Sequence, residues 1–137
     1  MSNTADAINP AHYKHHPSGV QIIELTRHMD FCLGNAFKYV ARAMHKHTSP
    51  SEDYKKALWY VQEFKECMGD KMYMVGNSLW TNKWEDLQAN AAKFFEYESA
   101  DSVLRDIFGV AYYPNHRGSV HVCISKLKMK IKCYEEK

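Results

Sequence analysis

The chain has no Gly-x-x-x-x-Gly-Lys-Ser/Thr phosphate loop, no apolar run long enough to span a bilayer, and no two cysteines at metal-ligand spacing. The first absence excludes a conventional P-loop kinase, and the second excludes a membrane-spanning helix. The N-terminus lacks the charged-then-apolar pattern of a secretory signal, so a cytoplasmic protein is expected. Cys32, Cys67, Cys123 and Cys133 are widely separated, and three of them sit among apolar residues at helix-like positions. Buried, reduced thiols fit that pattern better than a disulfide framework. A large charge of one sign is also missing. Eighteen Lys and Arg against 16 Asp and Glu leave a net +2, too mild for a dedicated nucleic-acid coat. Neither nucleic acid nor a membrane is an expected partner, and there are no internal repeats or low-complexity tracts.

What is present is enough apolar material for one folded domain: 45% of the 137 residues are hydrophobic and 13% aromatic. Residues 1–8 read as a loose arm and Pro10 to Gly19 as a loop. The spacing predicts helices over Val20–Met29, Phe31–His45, Ser49 or Pro50 to Met68, Trp84–Tyr97, Ala100–Phe108 and from about Val120 to the C-terminus. Ser49-Pro50-Ser51-Glu52 has the form of a helix start, with a serine cap, proline at the first turn and glutamate three residues on. Tyr112 to Gly118 reads as a loop. The fold class is therefore all-α, a compact helical domain of about five to six helices with no parallel sheet. Residues 9–70 would form one helical region, and residues 71–137 a second that packs on it or on a neighbouring subunit.

Two helices carry an ordered polar row beside their apolar stripe. Asn35, Lys38, Arg42 and Lys46 recur on one face, while Leu33, Phe37, Val40, Ala41 and Met44 form the core stripe. In the next helix Asp53, Lys56 and Tyr60 run beside Tyr54, Ala57, Leu58, Val61 and Phe64. Gly34 within the first of these helices costs about 1 kcal/mol against alanine, which points to close packing or ligand approach. Two such helices side by side could build a cleft for a phosphate-bearing ligand. Solvated lysines on ordinary amphipathic helices are the alternative.

Asn9-Pro10-Ala11-His12-Tyr13, Ile23-Glu24, Gly34-Asn35 with Lys38-Tyr39 and Arg42-Ala43, and Asp53 with Lys56-Ala57 and Tyr60 form an ordered set spanning residues 9–64. That set resembles a small helical family found mostly in bacteriophages, long catalogued as a domain of unknown function, which includes the early deoxynucleotide kinase of T-seven-type phages. The chain departs from the family pattern at Met44 and His45, where a glycine and a lysine are usual, and at Gln21, where an acid is usual. The missing glycine extends the helix. The missing acid removes one of the two carboxylates that a metal or general-base site there would need.

The resemblance implies a nucleotide-binding protein, and foremost a kinase moving a phosphoryl group from a nucleoside triphosphate to a deoxynucleoside monophosphate, with Mg²⁺ as a cofactor. Lys38, Arg42, Glu24 and Asp53 are its catalytic candidates. His12, Tyr13, Asn35, Lys46, Lys56 and Tyr60 are its nucleotide-binding candidates. Glu24 and Asp53 could instead simply pair with Lys38, Arg42 or Lys56. The second reading is a non-catalytic protein that sequesters nucleotides. The third, an all-α nucleoside triphosphate pyrophosphohydrolase, rests on the acidic pairs Glu63-x-x-Glu66 and Glu98-x-x-Asp101, which could chelate Mg²⁺. His12, His15, His16, His45 and His47 are too loosely arranged to imply a metal site. Lys126, Lys128, Lys130 and Lys132 spread over more than one helix face and read as solvated surface. Trp80, Trp84, Phe94, Phe95, Tyr97, Phe108, Tyr112 and Tyr113 are more aromatic surface than one small chain readily hides, which predicts a homo-oligomer with ligand sites near the subunit contacts.

Overall fold

Six helices follow one another in the computed structural model, which describes residues 16–45, 48–68, 82–113 and 118–136. They are α1 (Ile22–Thr26), α2 (Phe31–His45), α3 (Pro50–Met68), α4 (Asn82–Phe95), α5 (Val103–Tyr112) and α6 (Gly118–Glu135). The described residues contain no strand, and the fold is all-α. The expected arm over residues 1–8, His12, Tyr13, Lys46 and the connector holding Trp80 lie outside the described residues.

Helix α1 is half its expected length, and the chemistry of its ends explains why. The Gln21 N–H donates to Glu24 Oε2 at 2.7 Å, so Glu24 closes the first turn. Thr26 Oγ1 donates back to Ile22 O, and the chain turns at Arg27 to Met29. Asp30 then starts α2 by accepting from the Cys32 and Leu33 N–H groups at 2.8 and 3.3 Å. Helix α2 has the expected bounds and buries Leu33, Ala36, Phe37, Val40, Ala41 and Ala43. Met44, assigned to that stripe from spacing, is exposed; Ala43 takes the inward position. Gly34 is less constrained than its place in a helix implies. A Cβ there would meet Thr26 O at 3.6 Å and Met29 Cβ at 3.7 Å, ordinary contact distances.

Helix α3 buries Tyr54, Ala57, Val61 and Phe64 against α2 and α6. Its preceding residue Ser49 has φ +51°, left-handed rather than the extended conformation usual for a capping serine. Helix α4 ends two residues before the expected Tyr97 because Arg105 stops it. The Arg105 guanidinium donates to the carbonyls of Phe95, Glu98 and Ser99 and lies over the Phe95 ring. Phe95 is the last residue of the helix and Glu98 and Ser99 follow it, so one planar fork ties the helix end to the turn beyond it. Helix α5 starts three residues later than the spacing predicts, at the Ser102 cap whose Oγ accepts from Leu104 N, and it runs on to Tyr112. Tyr112, expected to open a loop, is buried, and its hydroxyl donates to Leu25 O at 2.6 Å, tying α5 to α1.

Helix α6 is the expected last helix. Val120, Cys123 and Leu127 are buried, with Ile124 and Ile131 half-buried beside them. Tyr134 stacks on Tyr54, and burial together with that neighbour pushes the Tyr54 hydroxyl up to about 12. Of the C-terminal lysines, Lys126 is not solvated surface. Its ammonium donates to Asp101 O and to Asp106 Oδ2, each at 2.7 Å. The four thiols are free, as expected, but only Cys123 is buried, while Cys67 and Cys133 face outward. Burial pushes the Cys123 thiol up to about 12. Among the described residues no helix is long and apolar enough to cross a membrane.

The inner end of the bundle is closed by contacts distant in sequence. The His16 ring stacks on Phe94 at 3.8 Å, its Nε2 meets Glu98 Oε2 at 2.8 Å, and its Nδ1 meets Ser18 Oγ at 2.7 Å. Phe94 in turn touches Phe37 and Phe95. Most of the aromatics expected at a subunit interface thus pack this one chain. Phe94, Phe108 and Tyr112 are buried, Trp84 and Phe95 half-buried, and of the described members only Tyr97 and Tyr113 are exposed.

Candidate functional site

The turn of α1 into α2 leaves a cleft of about 750 Å³. Ile22, Ile23, Met29 and Phe31 supply its apolar lining, and Gly34, Asn35 and Lys38 line it along α2. Asn35 and Lys38 are therefore neighbours on one wall, about 4.5 Å apart along the axis. Asn35 Nδ2 donates to Phe31 O at 2.8 Å, a bond within the helix that orients the amide.

Beyond the cleft the row continues between α2 and α3. The Lys38 ammonium lies 4.7 Å from the centre of the Tyr39 ring and the Lys56 ammonium 5.4 Å from it. Tyr39 stacks on Tyr60 at 6.0 Å, and Tyr60 meets Phe31 and Trp59 edge-on. Three residues singled out from the sequence, Lys38, Lys56 and Tyr60, are thus gathered around Tyr39. Phe31 and Trp59 are 73% and 57% exposed and were not foreseen at the site.

Arg42 stands one turn further on. Its Nε lies 3.6 Å from Asp53 Oδ2; the Arg42 side chain is 34% exposed and that of Asp53 only 1%. Asp53 is not part of a surface row. Its spacing to Ala57 and Val61 places it on the buried stripe of α3, where a carboxylate needs a cation. The pair joins a partly exposed guanidinium to a buried carboxylate.

Glu24 is not at this cleft. Besides closing the first turn of α1, it lines a second cleft of about 320 Å³ between α1 and α4, together with Arg27, His28, Lys83, Asp86 and Asn90. Desolvation, then Lys83 and Arg27, hold the His28 imidazole below its ordinary value. The four carboxylates of the acidic pairs are dispersed. Glu98 is taken by His16 and accepts from Ser102, Glu63 accepts from the Cys67 thiol, and a hydrogen bond from Ser99 holds the Asp101 carboxyl low. Among the described residues no three His, Cys, Asp or Glu side chains converge as a metal site would require, although the His16 and His45 rings lie 6.4 Å apart.

Residues 8–62 match the model of a family described as a protein of unknown function, DUF3310. The matched stretch carries α1, α2 and most of α3, both sides of the larger cleft, and the description names no activity. No curated protein and no solved structure matches the chain.

Proposed function

We propose that the protein binds a deoxynucleoside monophosphate in the α1–α2 cleft and acts as a cytoplasmic nucleotide kinase without a P-loop. The observation that supports this reading is the continuity of an apolar cleft with a cationic row on one helix. A base can lie against Ile23, Met29 and Phe31 with an edge on Asn35, and the phosphate then falls toward Lys38 and Arg42. Such an arrangement provides positioning and charge neutralisation, which phosphoryl transfer chiefly needs. Mg²⁺ would accompany the donor nucleoside triphosphate.

A second reading, nucleotide sequestration without turnover, is favoured by the state of the two expected catalytic carboxylates. Glu24 is held by its own helix start and Asp53 by Arg42. Incubating the pure protein with each deoxynucleoside monophosphate, a triphosphate donor and Mg²⁺, then separating the products, decides between them. Diphosphate formation is expected; tight monophosphate binding without product would favour sequestration. Lys38→Ala should weaken monophosphate binding roughly 10- to 100-fold, the worth of one charge-assisted contact. Gly34→Ala should fold at least as well as the wild type yet bind less well, because its methyl enters the cleft. Unchanged affinity in both variants would defeat the placement.

Association of subunits belongs to the same proposal, on other residues than those first expected. Ile23 and Phe31 are exposed at the cleft, and Tyr60 links Phe31 to the exposed Trp59. Sedimentation at micromolar concentration should show a homo-oligomer that Phe31→Ser with Trp59→Ser dissociates, and a wild-type monomer would refute it.

A further inference from the structure

The two clefts share one side chain. Arg27, in the turn after α1, lines both the cleft beside α2 and the smaller one against α4. Its Nε reaches Ile23 O at 3.4 Å, and its exposed terminal nitrogens have no partner among the described residues. On the far wall of the smaller cleft, Lys83 and Asp86 come from the first turns of α4 and Asn90 from the next.

We propose that this smaller cleft seats the triphosphate chain of the phosphoryl donor together with its divalent cation. The inference rests on reading the larger cleft as the acceptor's. Arg27 and Lys83 supply N–H donors for phosphate oxygens. Glu24 and Asp86 have the wrong sign for a bare polyphosphate and the right sign for a magnesium ion, or its waters, riding on one. At about 320 Å³ the space is at the small end of ligand cavities, room for a polyphosphate chain rather than a whole nucleotide. Burial first, and then Lys83 and Arg27, depress the basicity of His28, which lines the same cleft.

The probe is magnesium tripolyphosphate, added to the full chain at about 0.15 M salt, where adventitious surface contacts are screened. Calorimetry should show saturable binding that Arg27→Ala and Lys83→Ala each weaken at least tenfold. The His28 imidazole, followed by NMR across pH, should titrate at higher pH with the probe bound, because the anion offsets the two cations. Lys83→Ala should leave deoxynucleoside monophosphate affinity within twofold of wild type. Absence of binding, binding indifferent to Lys83, or an unmoved His28 titration would each overturn the site. Tripolyphosphate binding as expected, with no monophosphate bound at Lys38, would instead overturn the acceptor reading and leave the polyphosphate site standing.

Discussion

Arg42→Ala is expected to lower folding stability by roughly 2–4 kcal/mol and to remove nucleotide binding at the same time. Read from the sequence, Arg42 faces phosphate and its loss spares the fold. The structure changes that expectation, because the partner of Arg42 is a carboxylate with 1% of its side chain exposed. Removing one member of a buried pair costs about 3–5 kcal/mol, since the remaining charge stays buried. The lower figure applies here because Arg42 is a third exposed and the contact is long, at 3.6 Å. Urea unfolding should therefore show a midpoint lower by about 1–2 M.

The double variant Arg42→Ala with Asp53→Asn separates the two roles. Removing the buried charge should return most of the lost stability, as coupled neighbours do, while nucleotide binding stays absent. Should the double variant bind like the wild type, Arg42 is a structural partner of Asp53 and touches no phosphate. If the single variant unfolds at the wild-type midpoint, Asp53 does not depend on it.

Phe94→Ala should cost about 3–5 kcal/mol, the usual range for deleting a fully buried aromatic ring. That is a large share of the 5–15 kcal/mol that holds a domain together, and the thermal midpoint should fall by roughly 10–20 °C. The ring contributes more than volume. It is stacked on His16 and packed against Phe37 and Phe95, so its loss also frees the link from His16 to Glu98. Phe94→Leu, which keeps most of the volume, should lose far less. A Phe94→Ala protein melting within a few degrees of the wild type would contradict this packing.

The apolar spacing of a helix is local, and where one face alone is buried it can be read without the fold. That is why α2 and α3 lie where the periodicity puts them, why Phe37, Ala57 and Leu127 are inside, and why the last segment is a helix. The same spacing aligned Asn35, Lys38 and Arg42 on one row of α2, a consequence of 3.6 residues per turn and nothing else. It also held the clue to Asp53, whose four-residue steps to Ala57 and Val61 mark it as inward; a charged side chain in a polar row hid that signal.

Contacts between distant segments were beyond such reasoning. The short α1 follows from competition between its own turn and the Asp30 cap of α2, the end of α4 from an arginine that reaches carbonyls six to ten residues back, and the start of α5 from the Ser102 cap. The link from His16 to Glu98 spans 82 residues. Helical periodicity specifies which side of a helix faces inward, and so the composition of each face was determined by the sequence alone. Which faces meet is decided by packing across the whole chain, and only that packing set Lys38 and Lys56 around one tyrosine, turned Glu24 toward a different cleft, and left Arg27 at the wall between the two.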